Sequence, residues 1–386
     1  MFVYRRKDLP PDPVFPANLE KLGYFVNDKD QIRKITRPNE EFQFKINRNP
    51  RWNEAQREAM NACIRDIVSG RLHDLGFRTI RLPLSTPVDE PHVPILVSKN
   101  LATASRVVVV FGESIQDIGV WAYRSIGTDG IDQGSAVAFA RAILEKNKNN
   151  STPKDQEDVA IVLANTGQLT WHCASRRAVT QATWLSMPRH SAVEGPPTTT
   201  RRNKIPRNGN WQEHVTCVFE DILAARGDIL SEKAKIDIVG VAEGGLGAIR
   251  YLANNWETWK DHVSAICLPS PLHLRDTDLL PESPETDEDK DITSYTFPAF
   301  ISSRCRAYVL SDQPLDAPVS GFHEYGCNCY SSNEALNMEC IMPMAWKGVI
   351  EWLDKVHADP DYAEPHLIIK EMNGNGAEHA VVEEVK

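Results

Sequence analysis

Apolar residues recur along this chain with two periods, one helical and one typical of buried strands. From Trp52 to Leu72, residues Ala55, Ala59, Cys63, Ile64, Ile67 and Val68 fall at helical spacing, which predicts an amphipathic helix packed on a core. Short strands are expected over 79–84 and 93–97. The run Arg106-Val-Val-Val-Val-Phe111 is apolar enough to be buried on both faces, as central parallel strands are. Helices over 135–146, 211–226, 246–260 and 344–356 then alternate with strands over 159–164, 235–242, 263–268 and 306–310. This alternation predicts an α/β fold whose mostly parallel sheet is covered on both faces. No internal repeat is visible.

Two stretches break the pattern. Residues 168–209 are rich in Thr, Pro and Arg, and the eight acids and one lysine from Asp276 to Asp291 cannot bury enough apolar surface to order themselves cheaply. Both are expected to be surface insertions, at about 168–209 and 276–292. A short tail over 1–13, a single domain over 14–357 and an acidic, disordered tail over 358–386 complete the expected organisation.

Composition narrows the function classes. A chain of 386 residues that is 41% hydrophobic and 25% charged can bury a full core. No window reaches the ~20 apolar residues of a membrane helix. The N-terminus has no apolar signal core. The expected location is therefore inside the cell, in nucleus and cytoplasm, where the eight cysteines stay reduced. A net charge of −10 argues against nucleic-acid binding by the chain as a whole. The charge is uneven, however: residues 1–60 carry twelve Lys/Arg against nine Asp/Glu, and Arg201, Arg202, Lys204 and Arg207 cluster in the 168–209 stretch. Direct RNA contact there is left open beside the plainer reading of solvated loops.

The chemistry concentrates at Val241-Ala-Glu-Gly-Gly245, between the 235–242 strand and the following helix. A strand, tight turn and helix in that order form a nucleophile elbow, and Glu243 falls in the nucleophile position. Gly244 and Gly245 meet the steric demand of the turn. A carboxylate is a poor acyl-transfer nucleophile, because its attack on a carbonyl gives an unstable anhydride, and no flanking carboxylate suggests a glycosidase. Asp312 and His323 follow in the order that this fold uses for acid and histidine, with Asp316 as a substitute acid. The plainer reading makes Asp312 a turn residue and His323 a loop residue. The elbow is thus expected to be degenerate, with no catalytic residue.

A second cluster follows the valine strand. Gly112, Glu113 and Ser114 stand where hydrolases place an oxyanion loop, and Asp117, Trp121, Tyr123 and Arg124 come within the next ten residues. They form a candidate ligand or partner pocket; the alternative is an internal Asp117–Arg124 pair with the aromatics filling the core. Cys305, Cys327, Cys329 and Cys340 lack the two knuckle spacings of a zinc site, so no metal or cofactor is expected.

Several runs resemble a known family. Asn18 to Asn27, Phe111-Gly-Glu-Ser-Ile-Gln-Asp-Ile-Gly-Val-Trp-Ala-Tyr-Arg124, Gly134-Ser135, the Val241–Gly245 elbow and Cys340-Ile-Met-Pro343 are similar to the fungal Argonaute-binding protein two family, over roughly residues 14 to 357. The resemblance implies an α/β-hydrolase-like three-layer sandwich used for protein binding, as a subunit of the Argonaute small-RNA chaperone complex in silencing and heterochromatin assembly. Implied partners are Argonaute or an Argonaute-binding adaptor, and silencing complexes containing histone deacetylases, since related domains are appended to fungal class II deacetylases. The alternatives are an esterase with an unorthodox site, or a dimerisation or recruitment module related to the deacetylase-associated domain.

Overall fold

The computed structural model describes residues 11–149, 158–191, 194–280, 296–370 and 381–385. Nine strands form one sheet: β1 (Phe77–Leu82), β2 (Val93–Ser98), β3 (Arg106–Phe111), β4 (Val159–Leu163), β5 (Lys235–Gly240), β6 (Val263–Pro269), β7 (Cys305–Val309), β8 (Pro318–Val319) and β9 (Asn328–Ser331). Their spatial order is β1-β2-β4-β3-β5-β6-β7-β9-β8. The six strands from β4 to β9 pair parallel, whereas β1/β2, β2/β4 and β8/β9 are antiparallel.

The valine strand lies at the centre. Every residue of β3 is buried, and its side chains alternate between two cores. Val108 and Val110 join a cluster with helices α1 (Pro50–Asp74), α2 (Ala136–Asn149) and, at the far end of the chain, Ile341–Ala358. Val107, Val109 and Phe111 join the opposite cluster, with α3 (Trp211–Val218), α4 (Glu243–Trp259) and α5 (Phe297–Arg304); the Ile341–Ala358 helix is α6. Helices on both faces of a mostly parallel sheet in this strand order make the α/β-hydrolase-like three-layer sandwich.

The 168–209 insertion carries elements of its own, and the tail differs from its expected form. Residues 168–209 are packed and ordered in part: the Thr170–His172 and Arg177–Val179 strands form a hairpin, followed by the Gln181–Ser186 helix. Trp171, Ala178 and Ile205 are buried with Val93 in a small core of their own. Of the acidic segment, Asp278 ends a short helix and pairs with Arg250, while 281–292 lies outside the described residues. Residues 1–10 of the N-terminal tail also lie outside them, but Asp12 pairs with Arg51.

The tail expected to be disordered is ordered over 358–370, while 371–380 and 386 lie outside the described residues. Tyr362 and Glu364 are buried, and His366–Lys370 pairs antiparallel with Val381–Val385. The Glu364 carboxylate accepts from Arg306 Nη2 at 2.7 Å, Trp352 Nε1 at 2.6 Å and Tyr330 Oη at 3.1 Å. An acidic composition reads as solvated unless such partners, far away in sequence, are waiting for the charge.

Candidate functional site

Between β5 and α4 the chain turns within two residues. Ala242 sits at the apex with φ 47° and ψ −119°, a left-handed conformation that costs a non-glycine residue about 1–3 kcal/mol and is the strain that a nucleophile elbow imposes on its central residue. The flanking glycines fix this register. A Cβ on Gly240 would lie 2.4 Å from Gly245 Cα, and one on Gly244 would lie 2.4 Å from the Gly112 carbonyl oxygen. Gly240, Ala242 and Gly244 therefore fill the glycine, nucleophile and glycine positions of the motif. The nucleophile position holds a methyl group. Glu243, assigned there from the Val241–Gly245 run, is the next residue, whose backbone N–H borders the oxyanion site in this fold.

The Glu243 side chain reaches across to the loop after β3, where it accepts from the Ser114 backbone N–H at 3.1 Å. Glu113 lies beside it. Burial raises the Glu113 pKa above the usual carboxylate range, a hydrogen bond from Gln116 opposes this, and the charges of Glu243 and Glu339 raise it further. Thr166 Oγ1 donates to the Gly112 carbonyl at 2.5 Å and pins this loop to the end of β4. Arg124 is exposed and pairs with Glu339 at 3.1 Å, so the mouth of the site carries three carboxylates and one guanidinium.

Asp117 belongs to a different unit. It is buried and accepts from Tyr123 Oη at 2.6 Å, Gln168 Nε2 at 2.6 Å and Arg65 Nη1 at 3.2 Å. The expected alternative, an Asp117–Arg124 pair, is not formed: Arg65 of α1 takes that place and continues to Glu58 at 2.6 Å. Burial opposes the Arg65 charge, but Asp117, Tyr123 and Glu58 hold its pKa above the ordinary value. Burial and then Asp117 push the Tyr123 hydroxyl well up, so it stays protonated and donates. Trp121 is buried edge-on to Phe139. From Gln168 the network runs through Asn165 to His214 of α3, which accepts the Asn165 backbone N–H on Nε2 at 2.9 Å and so donates from Nδ1 to Asn208 at 2.7 Å. Burial lowers the His214 pKa to about 3.

The remaining triad positions do not converge. Asp312 is exposed just past β7, and its carboxylate meets only the neighbouring Gln313 amide, at 3.5 Å, among the described residues. Asp316 accepts from Tyr308 Oη at 2.5 Å. His323 is exposed in the Phe322–Tyr325 turn, before β9, and so lies at the amino ends of the parallel strands. The elbow is at their carboxyl ends, across the sheet. A triad histidine must follow the last parallel strand, and residues 332–340 after β9 contain none. Recognising His323 as misplaced requires β9, whose sequence Asn-Cys-Tyr-Ser carries no strand signal.

A family model described as the Arb2 domain matches residues 15–315. The chain belongs to the Arb2 domain family. Its relatives include the "Cotranscriptional regulator ARB2A" of Mus musculus, 23% identical over 331 residues that span 81% of this chain and 75% of that protein. The Homo sapiens protein of the same name is 24% identical over 330 residues, covering 81% and 74%. Among solved structures, a histone deacetylase from Saccharomyces cerevisiae aligns over 76% of this chain and 98% of its own at 13% identity and a TM-score of 0.39. A bacterial heroin esterase aligns over 77% and 90% at 14% identity and a TM-score of 0.32.

In this Arb2 domain, a cleft of about 570 Å³ opens between α1, the loop after β3 and the start of the Gln181–Ser186 helix. Phe42, Phe44, Ile64 and Ile115 line it, with Tyr123 and Arg124 at one end. No three His, Cys, Asp or Glu side chains gather as metal ligands among the described residues. Cys305, Cys327 and Cys329 are buried thiols, and Cys340 lies apart, accepting from Ser125 at 3.4 Å. No described helix is long and apolar enough to cross a membrane.

Proposed function

We propose that this Arb2 domain is a non-catalytic pseudo-hydrolase that binds protein partners in a regulatory complex acting on gene expression. The observation that carries this reading is Ala242 at the elbow apex, because acyl transfer needs an oxygen or sulfur nucleophile at that point and a methyl group offers none. The Glu243 carboxylate supports it from the other side. An anion already bound to the Ser114 N–H opposes a second negative charge developing nearby, which is the reverse of what an oxyanion hole provides.

Relatives named as cotranscriptional regulators support a regulatory role and a nuclear place of action. The family resemblance narrows the partner to an Argonaute or an Argonaute-binding adaptor in small-RNA silencing, with deacetylase-containing complexes as associated machinery. The cleft between α1 and the loop after β3, with Ile115 exposed among its lining residues, is the surface proposed for docking.

The enzymatic half is tested with short p-nitrophenyl esters. Neither the wild-type chain nor Ala242→Ser is expected to turn them over, since a serine at the apex would still lack a histidine after β9. Hydrolysis by the wild type that disappears in Glu243→Ala or Ser114→Ala would overturn the reading. The partner half is tested by affinity purification from native extract, where an Argonaute or its adaptor is the expected co-purifying protein and recovery of metabolic enzymes alone would sink the silencing assignment.

A further inference from the structure

The 168–209 region carries seven Lys/Arg and one Glu, in a chain whose net charge is −10. The structure brings five of these cations onto one small packed unit. Arg176 and Arg177 close and leave the turn of the 170–179 hairpin, where Arg177 faces His172 in register. The Arg201–Asn203 turn is laid along the other side of the same hairpin: Thr170 bridges Lys204, Asn203 Nδ2 donates to the Trp171 carbonyl at 2.9 Å, and Cys173 Sγ donates to the Arg202 carbonyl at 3.6 Å. The two hairpin strands, roughly 4.8 Å apart, and the turn bridged to them thus carry Arg176, Arg177, Arg201, Arg202 and Lys204 within one small region.

All five are exposed, and none has an ion-pair partner among the described residues. Arg207 nearby shows the contrast, since Asp221 and Glu220 neutralise it at 2.6 Å each. Five uncompensated cations on a rigid support repel one another, and an anion that spans them relieves that repulsion. The His172 ring registers the local field: burial lowers its pKa first and the Arg177 charge lowers it further.

The kind of anion follows from what the platform lacks. Protein interfaces rest on apolar anchors, yet no large hydrophobic residue between 170 and 180 or between 199 and 209 is exposed. Phosphate-backbone binding needs only charge and rigid donors, and guanidinium groups suit it best. No exposed aromatic side chain offers a stacking face for bases in these segments either. We propose that the hairpin and the 200–204 turn form a binding site for the phosphate backbone of nucleic acid, without base reading. The acidic remainder of the chain does not forbid this, because at physiological salt charges further than about 8 Å away are largely screened. The inference is independent of whether the elbow is inert.

The test uses the full chain and fluorescence anisotropy with a labelled 20-nucleotide oligouridylate, a mixed-sequence RNA of equal length and a labelled polyglutamate peptide. The two RNAs should bind alike. Affinity should fall about 50-fold between 50 and 200 mM salt, as expected for about four phosphate contacts at a slope of about −0.7 each on a single strand. Arg201→Glu/Arg202→Glu should weaken binding more than tenfold, whereas Arg78→Glu/Lys99→Glu, an equal charge change at exposed positions elsewhere, should leave it within about twofold. Equal losses from the two double variants, no RNA binding at 50 mM salt, or polyglutamate binding as tight as RNA would each overturn the proposal. Unchanged unfolding curves for both variants guard against a folding defect as the cause.

Discussion

At the scale of single residues, the elbow is decided by what cannot fit. Gly244 is required because any side chain there would collide with the backbone carbonyls of Phe111 and Gly112, at 2.5 and 2.4 Å, which are held in place by the Val241 N–H and the Thr166 hydroxyl. Gly244→Ala is therefore expected to destabilise the fold by about 3 kcal/mol or more in urea unfolding. Gly70 makes the opposite case. It is exposed within α1 with nothing near its missing Cβ, so Gly70→Ala should stabilise by about 0.5–1 kcal/mol. Similar effects from both substitutions would mean that the elbow packing is looser than described. The glycine spacing was legible in the sequence, where Gly240-Val-Ala-Glu-Gly244 is the register with glycine at both ends of the motif. The Val241–Gly245 register begins on a valine and misplaces the apex by one residue, as the backbone angles at Ala242 show.

At the scale of elements, a buried polar chain ties α1, the loop after β3, the end of β4 and α3 to one another, and its members lie far apart in sequence. Arg65 and Asp117 are separated by 52 residues, and Gln168 and Asp117 by 51. No local pattern announces such partners, so Arg65, Glu58, Gln168 and His214 were missed while Asp117 and Tyr123 were singled out. His214 makes this junction sensitive to pH. Its pKa is about 3 in the folded chain and about 6.5 when unfolded, so its contribution is full above pH 6.5 and is lost as the pH falls toward 3. At about 1.4 kcal/mol per pH unit, the loss at pH 5 is about 2 kcal/mol. Unfolding free energies of wild type and His214→Gln should differ by less at pH 5 than at pH 7.5; a constant difference would show that the imidazole is not buried neutral.

At the scale of the whole molecule, the segment after α6 is part of the fold. Arg306 on β7 lies beneath it, stacked 3.9 Å from the Tyr330 ring centroid and paired with Glu364. Burial works against its charge, and the Glu364 carboxylate holds its pKa above the ordinary value. Glu364→Ala leaves that buried cation with only Asp316, at 4.0 Å, and should cost about 3 kcal/mol, with truncation after residue 358 costing at least as much. A truncated chain as stable as the full one would show that the tail is dispensable. By itself the sequence determined the alternation of strands and helices, the doubly buried centre at 106–111 and the presence of a tight turn after β5, because period, apolarity and glycine spacing are local properties. Tertiary structure alone decided that Asn328–Ser331 is a buried strand, that His323 lies across the sheet from the elbow and that Glu364 anchors the start of an acidic tail. Each of those depends on the groups that distant segments bring to meet it.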